Sequence, residues 1–149
     1  MNEEMINSIM LIDDEDLFHL VFEDACSILD ITLSLEALNS SDVADKKFKE
    51  WFPDDINHER PECVFVDLNI IGSSFNGIEM VDKINHEYGN GCVIGIISSS
   101  DDNQEIEKAK AAGAQFWIIK SDDIEPRLEE FRKDYDGYKN KTAQFKVYK

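Results

Sequence analysis

Four short apolar runs of this 149-residue chain lead into polar residues that can do chemistry. Residues 8–12 lead into Asp13-Asp14, the run at 63–68 ends around Asp67, residues 92–97 lead into Ser98, and residues 115–119 lead into Lys120. If these runs are parallel strands of one sheet, all the polar groups crowd one rim. Three carboxylates that close repel one another and raise each other's proton affinity. A divalent cation relieves that repulsion. Magnesium suits the set: it takes oxygen ligands in octahedral geometry, keeps waters, and combines one or two carboxylates with phosphate oxygens. Taken singly, each residue has a plainer reading. Adjacent acids often cap a following helix, and Asp67 alone is an ordinary loop acid. Ser98 alone is a turn former ahead of the cap candidates Ser99, Ser100 and Asp101, and Lys120 alone is a surface lysine closing a strand. The specificity lies in four matched positions on one rim.

The elements that must position these groups are legible as a repeat. Apolar runs at 8–12, 63–68, 92–97 and 115–119 are mostly continuous, as in strands covered on both faces, whereas 31–38 (ITLSLEAL) alternates and suits an edge strand. Helical patterns fill the gaps. Residues 16–29 place Phe18, Val21, Phe22, Ala25, Ile28 and Leu29 on one stripe. Residues 42–52 follow a Ser-Ser-Asp start and offer Val43, Phe48, Trp51 and Phe52. Residues 77–88 offer Ile78, Val81, Ile84 and Tyr88 ahead of Gly89, and 101–112 carry a small, alanine-rich inner face ending at Gly113. Residues 122–135 tolerate Pro126 in their first turn and space Ile124, Leu128, Phe131 and Tyr135 helically. Strand–helix units repeated five times predict a doubly wound α/β sheet with right-handed crossovers. In such sheets ligands bind beyond the carboxyl ends of the strands, which is where the polar residues fall.

Composition bounds the function classes. The chain carries 15 Lys+Arg against 32 Asp+Glu, a formal charge of −17, and 42% apolar residues, enough for one domain with a core. The charge is uneven: residues 1–131 hold 9 basic and 30 acidic side chains, residues 132–149 hold 6 and 2. Such a body repels nucleic acid and anionic membranes. No stretch approaches the ~18 apolar residues of a membrane span, and residues 1–8 lack the basic start of a signal peptide. Cys26, Cys63 and Cys92 are widely spaced among apolar neighbours and read as reduced, structural thiols of a cytoplasmic protein. His19, His58 and His86 have no ligand spacing and read as surface or helix-face residues.

With these residues in place the sequence resembles the response-regulator receiver domain. The resemblance rests on Asp13-Asp14-Glu15 after the first strand, Asp67 after VFV, Ser98 after IGII, and Lys120 after AAGAQFWII. It implies a flavodoxin-like three-layer (βα)5 sandwich whose five-stranded parallel sheet runs 2-1-3-4-5. It spans residues 1–135, with 136–149 as a basic, aromatic tail and no output domain. By that resemblance Asp67 is the phospho-acceptor, attacking a phosphohistidine or small acyl phosphate. Asp13, Asp14, Asp67 and the backbone carbonyl of Asn69 hold Mg2+. Lys120 and Ser98 contact the phosphoryl group, and Ser98 with Trp117 forms the switch. The implied partners are a histidine kinase or histidine phosphotransfer protein and a downstream effector protein, with no nucleic acid and no membrane. The implied state is a monomer or a phosphorylation-linked dimer, and the implied activity is self-phosphotransfer and autodephosphorylation rather than enzymatic turnover.

Three departures stand beside the resemblance. The loop NIIGSSFNG after Asp67 lacks a proline and reaches Gly77 two residues later than the family pattern. Lys120 is followed by Ser121 where the family has a proline. Residues 57–62 form a longer polar connection before the third strand, remote from the site. The tail 136–149 reads as a solvated extension of the last helix, although TAQFKVYK alternates weakly and would suit a strand added to a partner or to the chain's own body. Two rival functions remain on the residues alone. One is a docking module that kept the residues without the chemistry. The other is a Mg-dependent phosphatase using an aspartyl phosphate, which Asp67-Leu68-Asn69 disfavours because the second acid of a DxD motif is missing.

Overall fold

The structure, a computed structural model, describes residues 5–52, 55, 59–89 and 91–149. Eleven elements alternate along these residues: β1 (Ile6–Ile12), α1 (Asp16–Leu29), β2 (Thr32–Leu38), α2 (Ser41–Trp51), β3 (Cys63–Asp67), α3 (Gly77–His86), β4 (Val93–Ser98), α4 (Asn103–Ala112), β5 (Phe116–Ile119), α5 (Glu125–Lys139) and β6 (Lys146–Tyr148). The sheet is parallel throughout, in the order β2-β1-β3-β4-β5-β6. The doubly wound order 2-1-3-4-5 is therefore present, extended by a sixth strand.

The continuous apolar runs are strands covered on both faces. β3 and β4 are buried along their whole length, and alternate residues supply two separate cores. Met10, Ile12, Val64, Val66, Ile94 and Ile96 face α2, α3 and α4. Ile9, Leu11, Cys63, Phe65, Phe116 and Ile118 face α1 and α5. Each such side chain contributes about 1.5–3 kcal/mol by leaving water. In the second core Phe65, Phe116, Phe131 and Tyr138 pack as an aromatic cluster. Gly95 makes room for it, because a Cβ there would sit 2.5 Å from the Phe116 ring. The three cysteines are buried and free, and burial pushes the Cys26 thiol up to about 12. None is poised as a nucleophile.

Several expectations need correction. Ile28 is 60% exposed and Val43 is exposed as well, so the buried stripe of α1 is Phe18, Phe22, Ala25 and Cys26. α5 runs four residues past position 135, and the segment beyond it folds back. β6 pairs with β5, and Tyr148, 1% exposed, enters the aromatic core. Its hydroxyl lies 2.7 Å from that of Tyr138 and donates to Asp134. The basic end also meets the acidic body: Lys146 pairs with Glu130 and Asp134, and Lys139 with Glu62. Of the connection read at 57–62, Asn57 and His58 lie outside the described residues. Its described part sits at the amino end of the sheet, where Arg60 donates to the carbonyls of Tyr88 and Gly89. No helix among the described residues is long and apolar enough to cross a membrane.

Candidate functional site

The carboxyl ends of β1, β3, β4 and β5 form one rim, and the four expected positions lie along it. Asp67 is the last residue of β3 and Ser98 the last of β4. Asp13 and Lys120 directly follow β1 and β5. Two backbone bonds hold these ends in register, Asp13 N–H to the Leu38 carbonyl and Lys120 N–H to the Ser98 carbonyl.

Lys120 is the hub of the charged groups. Its Nζ lies 2.8 Å from Asp13 Oδ2, 2.7 Å from Glu15 Oε1 and 3.6 Å from Asp67 Oδ2. The ammonium also stands 4.5 Å above the Phe18 ring, a cation–π contact that shields one side from water. Burial works against the lysine's charge, but hydrogen bonds to Asp13 and Glu15 and the field of Asp67 outweigh it and raise its pKa. The Asp67 carboxyl, 7% exposed, is raised as well, which for a carboxylate disfavours the charged form: burial first and then Asp13 push it up to about 7, against the pull of Lys120. The repulsion expected among the acids is present, but desolvation is the larger cause.

One carboxylate oxygen from each of Asp13, Glu15 and Asp67 lies within 4.8 Å of the others. Asp13 is fully buried. Its Oδ1 accepts the Glu15 N–H, and its Oδ2 is met by the Lys120 ammonium at 2.8 Å. An oxygen-only donor set of closely spaced carboxylates, two of them buried, fits a hard divalent cation. Asp14 stands outside this cluster, its Oδ2 accepting the Ile71 N–H at 3.3 Å, and Asn69 is exposed two residues past Asp67. Glu15 takes the third place, a role that the sequence reading did not give it although it ends the Asp-Asp-Glu run. His19, read as a surface or helix-face residue, donates from Nε2 to the Asp13 carbonyl. Nothing in its spacing from Asp13 signals this.

Among the described residues, the side chains of Ser98 and Trp117 make no hydrogen bond to the acids; both bond Ser100. Ser98 Oγ accepts the Ser100 N–H at 3.1 Å. Trp117 is fully buried and donates from Nε1 to the Ser100 carbonyl at 3.0 Å. Ser100 Oγ in turn accepts the Asp102 N–H, and Asp102 caps α4 by accepting the Glu105 N–H.

The longer loop after Asp67 is stitched to α2. Ser41 N–H donates to Ser73 Oγ, Ser41 Oγ to the Phe75 carbonyl, and Ser74 N–H to Asp42. At its far end Gly77 packs on the site backbone: a Cβ there would lie 2.2 Å from the Asp67 carbonyl oxygen. A capping box between Asn76 and Glu79 starts α3 at that point. The loop tip leaves Ile71 82% exposed beside Asp14.

No family model and no curated protein matches the sequence. Solved structures do match in shape. A two-component response regulator from Cytophaga hutchinsonii is 22% identical, with 92% of this chain and 99% of that one covered at a TM-score of 0.74. A two-component response regulator of the LuxR family from Aurantimonas sp. SI85-9A1 is 20% identical, with 87% and 86% covered at 0.67. The phosphorylated cyanobacterial phytochrome response regulator RcpA is 16% identical, with 93% and 97% covered at 0.66. The chain has the receiver-domain fold.

Proposed function

We propose that this chain is a phospho-accepting receiver of a two-component phosphorelay, with Asp67 as the acceptor. The observation that carries the reading is the pairing at the rim: a nearly buried Asp67 carboxylate 3.6 Å from a buried ammonium and within 4.8 Å of carboxylate oxygens of Asp13 and Glu15. A carboxylate so placed is an in-line nucleophile with positive charge already beside it. Asp67 attacks the phosphorus of a phosphohistidine on a histidine kinase or phosphotransfer protein. The new O–P bond forms as the P–N bond breaks, and the imidazole keeps the electron pair and takes a proton from solvent. Lys120 neutralises charge on the transferred oxygens, and Glu15 keeps the ammonium near the site until the phosphoryl group arrives.

Asp13 and Asp67, joined by Asp14 and the Asn69 carbonyl as the resemblance implies, would hold Mg2+. The bound ion would add positive charge at the transferring oxygens and keep Asp67 ionised. Ser98 Oγ would leave the Ser100 N–H for a phosphoryl oxygen, and the buried Trp117 would follow through Ser100. The output is then a changed surface for an effector protein, from a cytoplasmic module that is a phosphotransfer substrate rather than a turnover enzyme. It acts as a monomer or a phosphorylation-linked dimer. Beryllofluoride, which mimics an acyl phosphate, tests the reading. Tight binding that requires Mg2+ and is lost in Asp67→Asn supports it, and equal binding by both proteins overturns it.

A further inference from the structure

Lys120 is held by the sheet on one side only. Its N–H continues the β4–β5 ladder by donating to the Ser98 carbonyl. Past it, residues 121–124 connect to α5 without a ladder, and two of their hydrogen bonds meet at Ser121 Oγ. Ser121 Oγ accepts Arg127 Nη1 at 2.6 Å and the Asp123 N–H at 3.2 Å. The same Nη1 donates to the Asp123 carbonyl at 3.1 Å. Arg127 stands in the first turn of α5, between Ile124 and Leu128, which are both buried in the core. The anchor is therefore rigid.

The guanidinium is used here in an unusual way. Its bonds go to a hydroxyl and a carbonyl rather than to a carboxylate. Its Nε is buried with no hydrogen-bond partner among the described residues, which by itself disfavours this placement. What keeps it in place is the pair of hydrogen bonds that the one nitrogen Nη1 makes to the connection. Ser121 is the chain neighbour of Lys120, and both line one cavity of about 330 Å³ with Glu15, Phe18 and Asp122.

We infer that Arg127 is a positioning residue: by pinning Ser121 Oγ it fixes the backbone beside Lys120 and sets where the ammonium meets the phosphoryl group. This rests on the receiver reading above. Phosphoryl chemistry is sensitive to such placement, since a misplacement of about 1 Å can lower a rate roughly 10²-fold. Mg2+ would be held by the carboxylates rather than by Lys120, so the pin would act on the phosphoryl group and not on the ion.

Calorimetric titration of beryllofluoride into Mg2+-saturated protein tests it, with Mg2+ titrated alone as the second readout. Arg127→Ala and Ser121→Ala are each expected to weaken beryllofluoride about tenfold, and the double variant no further. Mg2+ affinity stays within about twofold. Losses that multiply in the double variant, a parallel loss of Mg2+, or an unaffected Ser121→Ala overturn the inference. Should Arg127→Ala fail to fold, Ser121→Ala decides. A wild type that binds no beryllofluoride overturns the receiver reading and this inference with it. A wild type that binds, with variants that bind equally, overturns this inference alone.

Discussion

Ser98 and Trp117 grip opposite ends of the same residue: Ser98 Oγ accepts the Ser100 N–H, and Trp117 Nε1 donates to the Ser100 carbonyl. Ser100 also starts the capping chain into α4 through Asp102. A hydroxyl at the rim is thereby joined to a buried indole and to a helix terminus without direct contact between them. Any ligand that draws Ser98 Oγ toward Asp67 loosens Ser100 and changes the surroundings of Trp117.

Trp117 emission should therefore report beryllofluoride binding. Measured in Trp51→Phe, so that Trp117 is the only tryptophan, the emission shifts on addition of beryllofluoride with Mg2+. Ser98→Ala loses more than half of that change. An equal change with and without the Ser98 hydroxyl removes the coupling.

Glu15 brings a third carboxylate to the acidic cluster from an exposed position. Its field is partly screened by water, so its share is small. Glu15→Gln should weaken Mg2+ binding about two- to fivefold by calorimetry, and Asp13→Asn, at the fully buried position, more than tenfold. A larger loss at Glu15 than at Asp13 contradicts this ordering.

Asp67 also predicts a pH dependence. Its folded pKa, near 7, lies above the ordinary value of 3.8. The folded state thus binds the proton more tightly than the unfolded chain, and this contribution is complete below the unfolded pKa. It is lost as pH rises from there through about 7. Asp67→Asn has no such loss. In metal-free buffer the variant should gain on wild type as pH rises from 5, by about 1.4 kcal/mol per pH unit, levelling off above 7. Mg2+ at pH 8 closes the gap by stabilising wild type alone. Urea unfolding of the two proteins from pH 5 to 9 measures both effects, and a gap independent of pH contradicts them.

The sixth strand can be tested by stability. Tyr148 is 1% exposed and bonded to Tyr138 and Asp134. Tyr148→Ala should cost about 3–5 kcal/mol, and Tyr148→Phe about 1–2 kcal/mol. Denaturant unfolding that puts Tyr148→Ala within about 0.5 kcal/mol of wild type would return this segment to a solvated tail.

The rim was legible in the sequence because strand ends are local. An apolar run that stops at a polar residue places that residue at the strand terminus, and parallel pairing lines up Asp13, Asp67, Ser98 and Lys120 from their runs alone. Which of Asp13 and Asp14 turns inward was not legible, because neighbouring residues leaving a strand diverge and the choice depends on the loop carrying Ile71. The roles of Glu15 and His19 depend on where the first turn of α1 meets the rim, a tertiary fact. β6 was visible only as a weak alternation, since a three-residue strand takes its stability from β5 and from Tyr138, not from itself. Ile28 fits a helical stripe at 3.6 residues per turn, yet it is left exposed at the last turn of α1.

The most direct measurement of the central claim is peptide mass spectrometry after incubation with Mg2+ and acetyl phosphate. The account predicts one phosphoryl group, on Asp67, absent without Mg2+ and absent in Asp67→Asn. A protein that binds Mg2+ and beryllofluoride yet carries its adduct elsewhere, or keeps it in Asp67→Asn, would contradict the account.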